Sequence, residues 1–291
     1  MFSSNRAERG VLLPVIDELK KRQFDVVDAV LPDVWDIPLV WREAEKYLTN
    51  VDYVICPFDR AQITAAAMLC HLKKIPYAQM HAGEISSGTF DDSNRYAISL
   101  WADMCFCAHW RFARRVKKIK KIAHLPGIVK TVGITHLDNI TIDESLVPSE
   151  EYNLVIYNPP TLLSAHEIKG ELDEILTYAW DRKIIWIGPN GDPGSDIIND
   201  YIKRATKWFK NLITYYSNLP RPQFLGLLKN AYCAYGNSSS LIYEAPYFQT
   251  PVRMIGERNR IREKLRFRIG ASSRIVDLIE WRLKSLDISK C

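Results

Sequence analysis

Short apolar runs alternate along this chain with longer stretches in which apolar residues recur every three or four positions. The runs have the length of buried strands, and the longer stretches have the periodicity of amphipathic helices. Strands that alternate with helices predict βαβ units and parallel sheets, so the predicted fold class is α/β. The predicted strands are residues 51–56, 76–80, 104–108, 129–132, 153–157, 183–187, 212–215, 232–235 and 252–255. The predicted helices are residues 6–19, 61–73, 93–102, 167–180, 196–209, 222–230, 240–248 and 275–285.

A polar stretch at residues 141–152 divides this pattern into two halves and is typical of a domain linker. We therefore predict two Rossmann-like, doubly wound domains, over residues 1–145 and 150–274, with a C-terminal helix within 275–291 that can pack back on the first domain. Parallel sheets bind ligands at the carboxyl ends of their strands, so two such domains facing a central cleft would bind a ligand there. The first strand is predicted to be residues 1–4 only, or absent.

The composition is that of an ordinary folded protein, because 47% of the 291 residues are hydrophobic and 25% are charged. No apolar run approaches about 18 residues, so we expect no spanning helix and no membrane partner. The first ten residues lack the apolar core of a signal peptide, and the six cysteines form no CxxC pair. These features predict a cytoplasmic protein with reduced, buried thiols and no metal site.

The net charge of +5 is concentrated in one segment of the first half. A cationic cluster of this kind can bind nucleic acid or another acidic partner, or it can be the solvated face of a helix. We favour the solvated face and expect no nucleic-acid partner, because no nucleic-acid-binding motif accompanies the cluster. Its members are Arg111, Arg114, Arg115, Lys117, Lys118, Lys120, Lys121 and Lys130.

A strand-to-helix turn at residues 235–248 (YGNSSSLIYEAPYF) carries the most informative chemistry. Small residues allow the backbone to approach a ligand, and the N–H groups at the start of a helix suit a phosphate. The hydroxyls of Ser238, Ser239 and Ser240 add donors, and Glu244 could reach a ribose. A serine-rich helix cap followed by a solvated glutamate is an equally good interpretation of the same residues.

Two further turns carry polar groups at the ends of predicted strands. Arg258 lies in an arginine-rich loop after the strand at 252–255, where it can bind phosphate oxygens or simply lie on a charged surface. The segment 185–196 (IWIGPNGDPGSD) ends a strand in a cluster of Gly, Pro, Asn and Asp. Asp192 or Ser195 in this segment can cap the helix that follows.

Asp59, His81, Asp91 and Arg95 form a fourth group of polar residues in the first half. Asp59 and His81 each follow a predicted strand, so they should lie at the same edge of the sheet. Carboxylates crowded beside a histidine can serve as general acid and general base. Asp91 or its neighbour Asp92 can instead cap the helix predicted to begin near Ser93.

Taken together and in this order, seven segments resemble the UDP-N-acetylglucosamine 2-epimerase family, in its hydrolysing branch. They are 4–16 (SNRAERGVLLPVI), 58–60 (FDR), 81–95 (HAGEISSGTFDDSNR), 132–140 (VGITHLDNI), 189–195 (PNGDPGS), 219–228 (LPRPQFLGLL) and 236–263 (GNSSSLIYEAPYFQTPVRMIGERNRIRE). The resemblance implies a glycosyltransferase-B-like fold that holds UDP mainly on the second domain and the sugar against the first, catalytic domain. It also implies a homo-oligomer that uses neither a cofactor nor a metal.

The resemblance further implies a reaction and a set of site residues. UDP-N-acetylglucosamine would lose UDP by elimination, and hydration of the glycal would give N-acetylmannosamine for the biosynthesis of surface glycans. Asp59 and Asp91 would be the acid–base carboxylates, Arg95 would orient them, and His81 would supply an acid or base near neutral pH. The residues implied for UDP binding are Arg6, Asn190, Ser238, Ser239, Ser240, Glu244 and Arg258.

The chain also departs from the family pattern. His81 stands where the pattern has a glutamate, residues 57–58 (PF) replace a His-Gly pair, and residues 157–159 (YNP) replace a histidine-bearing segment. The first domain is shorter than in the family, and His81 can equally be structural. Two other functions are therefore compatible with the sequence: a divergent UDP-sugar glycosyltransferase, and a non-catalytic homologue that binds a UDP-sugar.

Overall fold

A computed structural model of the protein describes residues 1–87, 89–262 and 265–288, without the side chains of Arg6, Asp287 and Ile288. Two compact units make up the chain. The first unit comprises Met1–Glu84, Asp91–Asn139 and the described part of Leu265–Cys291, and the second comprises Ile85–Phe90 and Ile140–Lys264. The chain therefore returns to the first unit ten residues before the helix predicted at 275.

The elements of both units alternate between strand and helix, as the apolar pattern predicts. The first part of the chain contains β1 (Phe2–Ser3), α1 (Arg6–Lys21), β2 (Ala29–Val30), α2 (Ile37–Lys46), β3 (Val54–Cys56), α3 (Ala61–Leu72), β4 (Tyr77–Met80), α4 (Asp91–Trp101), β5 (Met104–Cys107), α5 (Trp110–Ile122) and β6 (Ile128–Thr131). The remainder contains β7 (Tyr152–Ile156), α6 (Ala165–Ala179), β8 (Lys183–Ile187), α7 (Ser195–Trp208), β9 (Ile213–Tyr216), α8 (Arg221–Asn230), β10 (Cys233–Gly236), α9 (Ser240–Tyr243), α10 (Ala245–Phe248), β11 (Val252–Met254) and α11 (Ala271–Ile288).

The first unit is built on a four-stranded parallel sheet in the order β3-β4-β5-β6, beside the parallel pair β1-β2. Strand β1 is only two residues long, in line with the short first strand that the sequence predicts. The elements predicted from the apolar pattern do not include β2, α2 or α5. Strand β2 is too short to show a period, whereas α2 carries a recognisable start, in which the Asp36 side chain accepts from the Leu39 N–H and a proline occupies the first turn.

Helix α11 packs against α1 and completes the core of the first unit. Ile275, Val276 and Ile279 are buried with Val15 of α1 and with residues of the sheet. The Arg22 guanidinium at the end of α1 lies 2.6 Å from the Asp277 carboxylate. The burial of these apolar side chains, more than the exposed ion pair, holds the helix in place.

The second unit is a five-stranded parallel sheet in the order β11-β10-β7-β8-β9. The chain runs from β7 to β8 and β9 on one side and then crosses to β10 and β11 on the other, which is the doubly wound arrangement. Both faces of the sheet are covered. Trp186 packs with α6 and α7, while its neighbours Ile185 and Ile187 pack with α8 and α9 on the opposite face.

The cysteines are packing groups within these cores. Cys56, Cys70, Cys105 and Cys107 are buried free thiols, and burial raises the pKa of both Cys70 and Cys105 to about 12. Cys291 lies outside the described residues. Across the described ranges, no helix combines the length and the apolar character needed to cross a membrane.

Candidate functional site

The carboxyl edge of the second sheet is lined by four asparagines, one after each of the strands β7, β8, β10 and β11. The Asn158 N–H donates to Asn237 Oδ1 at 2.7 Å, and Asn237 Nδ2 donates to the Asn158 carbonyl at 2.8 Å. The Asn190 N–H donates to Asn158 Oδ1 at 3.0 Å, and Asn259 Nδ2 donates to the Asn237 carbonyl at 2.7 Å. These bonds tie four loops together at the position where the strand order reverses, which is where open parallel sheets bind ligands.

The turn over residues 237–240 (NSSS), here called the serine turn, follows a glycine that no other residue could replace without strain. Gly236 ends β10 with φ of 134°, and a Cβ at this position would lie 2.0 Å from the Ile156 carbonyl oxygen of β7. The turn that follows places Ser238 in a buried position and Ser239 and Ser240 in half-buried ones. The N–H groups of Ser238 and Ser239 have no acceptor among the residues that the structure describes, so both can donate to an anion.

The predicted helix over 240–248 is two helices of four residues each, α9 and α10. Pro246 lies in the first turn of α10 and has no N–H to continue the hydrogen-bond ladder. Glu244 stands at the break and is almost fully buried. Its carboxylate lies 3.0 Å from Arg221, the first residue of α8, so the residue predicted to reach a ribose already has a cationic partner in the structure.

Arg258 bridges the loops that follow β7 and β8. Its guanidinium donates to the Pro159 carbonyl and lies 3.5 Å from the Asp192 carboxylate, which in turn accepts from Asn190 Nδ2 at 2.6 Å. Only 12% of the Arg258 side chain is exposed, so the arginine points into the loops instead of lying on a charged surface. Two of the predicted UDP-binding residues, Asn190 and Arg258, are thereby brought together through Asp192.

The Arg258 loop depends on a close approach between Gly256 and α6. Gly256 has φ of 71°, and a Cβ there would lie 2.1 Å from the carboxylate of Glu171. That carboxylate accepts from the Tyr157 hydroxyl and, at 3.4 Å, from the Glu257 N–H. The Glu171 carboxylate therefore holds the Arg258 loop in place. Any residue that replaced Gly256 would have to displace this carboxylate.

The side chain of Arg6 lies outside the described residues, so the structure gives no position for this predicted UDP-binding group. The turn before it is well defined. Asn5 and Glu8 form a capping box at the start of α1, and the Ser4 N–H donates to Glu8 Oε2 at 2.6 Å. Glu8 is buried, and this burial raises its pKa to about 7 against the opposing effect of the Ser4 hydrogen bonds and Arg60.

Arg95 organises the polar cluster of the first unit. Its side chain is 1% exposed and forms ion pairs with Asp59 and Asp92, and it donates to the Glu84 carbonyl at 3.0 Å. Burial opposes its charge, but Asp59, Glu84 and Asp92 outweigh burial and raise its pKa. Asp91 begins α4, two residues before the predicted start, and the second ion pair of Arg95 forms with Asp92.

His81 lies at the centre of a buried cluster of rings. It adopts a left-handed backbone with φ of 56°, stacks on Phe58 at 4.6 Å between ring centroids, and meets the edge of His136 at 4.9 Å. His81 Nδ1 lies 2.8 Å from Glu84 Oε1. A histidine that donates from Nδ1 to a carboxylate keeps Nε2 as an acceptor, which is the arrangement of a general base.

Several residues at these two sites are not among the individual candidates that the sequence predicts. Glu84 and His136 join the His81 cluster, Arg221 pairs with Glu244, and Asn237 links the serine turn to the β7 loop. Glu84, His136, Arg221 and Asn237 all lie within segments that the resemblance identified, so their chemistry was visible but their partners were not. A residue's partner depends on which loops the sheets bring together, and that information is absent from local spacing.

Comparison with known proteins agrees with the fold. The UDP-N-acetylglucosamine 2-epimerase family model matches residues 41–286. A hydrolysing GDP/UDP-N,N'-diacetylbacillosamine 2-epimerase from Campylobacter jejuni is 29% identical over 220 residues, covering 72% of this chain and 57% of that protein. A hydrolysing UDP-N,N'-diacetylbacillosamine 2-epimerase from Legionella pneumophila is 29% identical over 226 residues, covering 73% and 58% respectively. The chain thus matches less than two thirds of the length of these curated relatives.

A solved structure extends the likeness of fold over nearly the whole chain. The UDP-GlcNAc 2-epimerase of Methanocaldococcus jannaschii, in complex with UDP-GlcNAc and UDP, superposes with a TM-score of 0.76 at 15% identity, covering 96% of this chain and 98% of that one. At this identity the likeness concerns the fold alone, and it confirms the α/β class with parallel sheets. The family model covers well over half of the chain and confirms the resemblance. The chain belongs to the UDP-N-acetylglucosamine 2-epimerase family.

Proposed function

We propose that this protein is a hydrolysing UDP-sugar 2-epimerase that eliminates UDP from a UDP-N-acetylhexosamine. The observation that carries the proposal is the linked edge of the second sheet. There Asn237 donates to the Asn158 carbonyl and accepts from Asn259 Nδ2, and these bonds join the serine turn to the Arg258 loop at the point where the strand order reverses. The backbone N–H groups of Ser238 and Ser239 and the partly buried guanidinium of Arg258 are the kind of donors that a diphosphate needs.

The UDP site is assigned to the second unit. The N–H groups of Ser238 and Ser239 and the side chain of Arg258 would bind the diphosphate, with the Ser240 hydroxyl as a further donor. Asn190 would hold Arg258 in place through Asp192. Glu244, paired with Arg221, would accept from the ribose hydroxyls. The role of Arg6 stays a prediction, because its side chain lies outside the described residues.

Chemistry on the hexose is assigned to the first unit. A carboxylate, Asp59 or Asp91, or the His81 imidazole would take the proton from C2 while the C1–O bond breaks and its electrons leave with UDP. Water would then add to the glycal, with hydroxyl at C1 and a proton at C2 on the opposite face, giving N-acetylmannosamine. Arg95 would orient Asp59 through their ion pair, and Glu84 would hold the His81 tautomer.

The substrate is proposed to be UDP-N-acetylglucosamine, in a pathway of surface-glycan biosynthesis. The names of the curated relatives make UDP-N,N'-diacetylbacillosamine the second substrate to try. Asp59 pairs with Arg95, Arg95 donates to the Glu84 carbonyl, and the Glu84 carboxylate lies against His81 Nδ1. This chain of contacts supports an acid–base role for the cluster.

The test is turnover in D₂O, because an elimination followed by hydration leaves deuterium at C2 of the free sugar. The purified protein should release UDP from UDP-N-acetylglucosamine, or from UDP-N,N'-diacetylbacillosamine, and the product should be the C2 epimer carrying deuterium by NMR. Release of the unepimerised sugar without deuterium would indicate plain hydrolysis and contradict the proposal. Turnover only with an added acceptor would indicate a glycosyltransferase, and UDP binding without turnover on either substrate would indicate a non-catalytic homologue.

Matched variants separate the two assigned sites. Asp59→Asn should abolish turnover and leave the Kd for UDP within about twofold of the original, since the substitution removes a base and lies in the other unit. Asp181→Asn, at an exposed aspartate of the second unit, is the control and should leave both quantities unchanged. Retention of full turnover in Asp59→Asn would remove Asp59 from the reaction.

A further inference from the structure

Helix α5 presents a cationic face that the UDP-sugar site does not use. Starting from Trp110, the residues at spacings of four, seven, eight and eleven are Arg114, Lys117, Lys118 and Lys121, so all of them share one side of the helix. All five are exposed, and Arg111 lies beside them with its guanidinium 5.7 Å from the centre of the Trp110 ring. The opposite side is buried through Phe112, Ala113 and Val116.

The cationic segment identified in the sequence divides into an inner and an outer set. Lys120 is buried, and its ammonium donates to the carbonyls of Leu100, Ala102 and Pro126. Arg115 donates to the Gly83 carbonyl. These two residues therefore stabilise the unit itself, and the solvated cations that remain are Arg111, Arg114, Lys117, Lys118, Lys121 and Lys130.

Four cations of the outer set are not neutralised by the described part of the chain. Helix α5 contains no acidic residue. In the described ranges, Arg114, Lys117, Lys118 and Lys121 take part in no ion pair, in contrast to the exposed lysines Lys46, Lys203 and Lys284, each of which lies within 4.0 Å of a carboxylate on its own helix. The face is therefore a concentrated positive charge that a negative surface would complement.

Apolar side chains stand at both ends of the cationic face. Trp110 is 55% exposed at its start, and Ile122 and Leu125 are 69% and 41% exposed at its end. An indole and aliphatic groups that flank lysines and arginines are typical of contact with a bilayer interface, where the rings enter the headgroup region and the cations meet phosphates. Single-stranded nucleic acids are typically bound on aromatic side chains that stack with the bases, and α5 exposes no aromatic side chain between its two ends.

We propose that the exposed face of α5 binds the surface of an anionic phospholipid bilayer, as a peripheral and reversible contact. The proposal does not depend on the UDP-sugar assignment, since none of these residues belongs to it. It revises our expectation from the sequence that the cluster is only a solvated helix face without a membrane partner. Each cation near an anionic bilayer strengthens binding by about fivefold, so the four cations of this face together strengthen binding by several hundredfold, on the order of what a measurable contact at low salt requires.

The test is co-sedimentation of the full chain with vesicles. The protein should sediment with vesicles of equal parts phosphatidylserine and phosphatidylcholine and not with phosphatidylcholine alone, and raising the salt from about 0.1 M to about 1 M should release it. The variant Lys117→Gln/Lys118→Gln/Lys121→Gln should bind about a hundredfold more weakly, at about fivefold per cation. Trp110→Ala should also weaken binding to the anionic vesicles.

The matched control is Lys203→Gln/Lys207→Gln/Lys210→Gln, which removes the same charge from exposed lysines at α7, beside the exposed Trp208. It should bind anionic vesicles like the original protein. Equal loss in both triple variants would indicate a net-charge effect and overturn the proposal, as would binding to phosphatidylcholine alone. If single-stranded RNA competes for the same lysines and binds more tightly than the vesicles, the partner is a nucleic acid and the lipid proposal is wrong.

Discussion

Glu8 shows how one side chain can make the stability of the first unit depend on pH. Its carboxylate is buried at the start of α1, and Oε1 has no hydrogen-bond partner among the described residues. The pKa of about 7 means that the folded chain holds a proton on Glu8 that the unfolded chain has already lost above a pKa of 4.5. An ionised Glu8 would be a buried charge with an incomplete set of donors.

We predict that Glu8→Gln reduces the loss of stability on raising the pH. Because the folded pKa is raised, the stabilising contribution is complete below pH 4.5 and disappears as the pH rises through about 7. At roughly 1.4 kcal/mol per pKa unit, the free energy of unfolding of the original protein should fall by about 3 kcal/mol more than that of the variant across this window. Urea denaturation at several pH values measures the free energy of unfolding of both proteins. If the two pH profiles run parallel, Glu8 is not the group that makes stability depend on pH in this window.

Arg258 and Arg260 offer a residue-scale test of the diphosphate site, because they lie in one loop and differ in environment. Arg258 is 12% exposed and bridges two loops, whereas Arg260 is 67% exposed and pairs with Glu257. Arg258→Gln should weaken UDP binding by at least about tenfold, which corresponds to the loss of one charge-assisted hydrogen bond. Arg260→Gln should leave the Kd unchanged by calorimetry. An equal loss of UDP affinity in the two variants would mean that the loop contributes to binding only through its net charge.

At the scale of elements, the turn after β10 depends on a glycine that belongs to the strand. Gly236 combines a left-handed φ with the close approach of the Ile156 carbonyl. Gly170 in α6 is the opposite case, since a Cβ there would meet nothing within 4 Å. The same substitution at the two positions therefore separates a structural requirement for glycine from the ordinary entropic cost of glycine in a helix.

We predict that Gly236→Ala destabilises the protein by about 2–5 kcal/mol, from backbone strain and overlap with β7. It should also weaken UDP binding, because relief of the overlap must move the serine turn. Gly170→Ala should stabilise the protein by about 0.5–1 kcal/mol and leave UDP binding unchanged. Thermal unfolding with and without UDP measures the change in stability and the change in UDP binding for each variant. A stable Gly236→Ala protein with unchanged affinity would show that the turn does not depend on this contact.

At the scale of the whole molecule, each unit has its own core, and α11 belongs to the first one. Ile279 of α11 is buried with α1 and the first sheet, whereas Ile198 of α7 is buried with α6 and the second sheet. The C-terminal helix thus makes the first unit discontinuous in sequence. Its formation requires residues that are more than two hundred positions apart, as the contact of Arg22 with Asp277 illustrates.

We predict that Ile279→Ala and Ile198→Ala each cost about 2–5 kcal/mol but weaken different parts of the chain. Hydrogen exchange followed by mass spectrometry should show faster exchange in β4 and β5 for Ile279→Ala, and in β7 and β8 for Ile198→Ala. UDP should restore protection mainly in the second unit. Loss of protection throughout the chain in both variants would mean that the two cores unfold as one.

The sequence by itself determined the fold class, most of the strands and the segments that carry the candidate sites. These properties are local: the alternation of apolar runs, the glycines and serines of the turn after β10, and the positions of Asp59, His81 and Arg258 are all readable along the chain. Where local signals were weak or conflicting, the predictions failed, as with the two-residue strand β2 and the helix that Pro246 divides in two.

Only the tertiary structure decided which of these residues contact each other. Arg95 pairs with Asp59 across thirty-six positions, Glu244 pairs with Arg221, and His81 meets His136, because segments that follow different strands of one parallel sheet gather at one edge of that sheet. The same packing divides the cationic segment into the buried Lys120 and the exposed face of α5. Long-range contacts of this kind depend on strand order, which is not encoded in the spacing of residues within a segment.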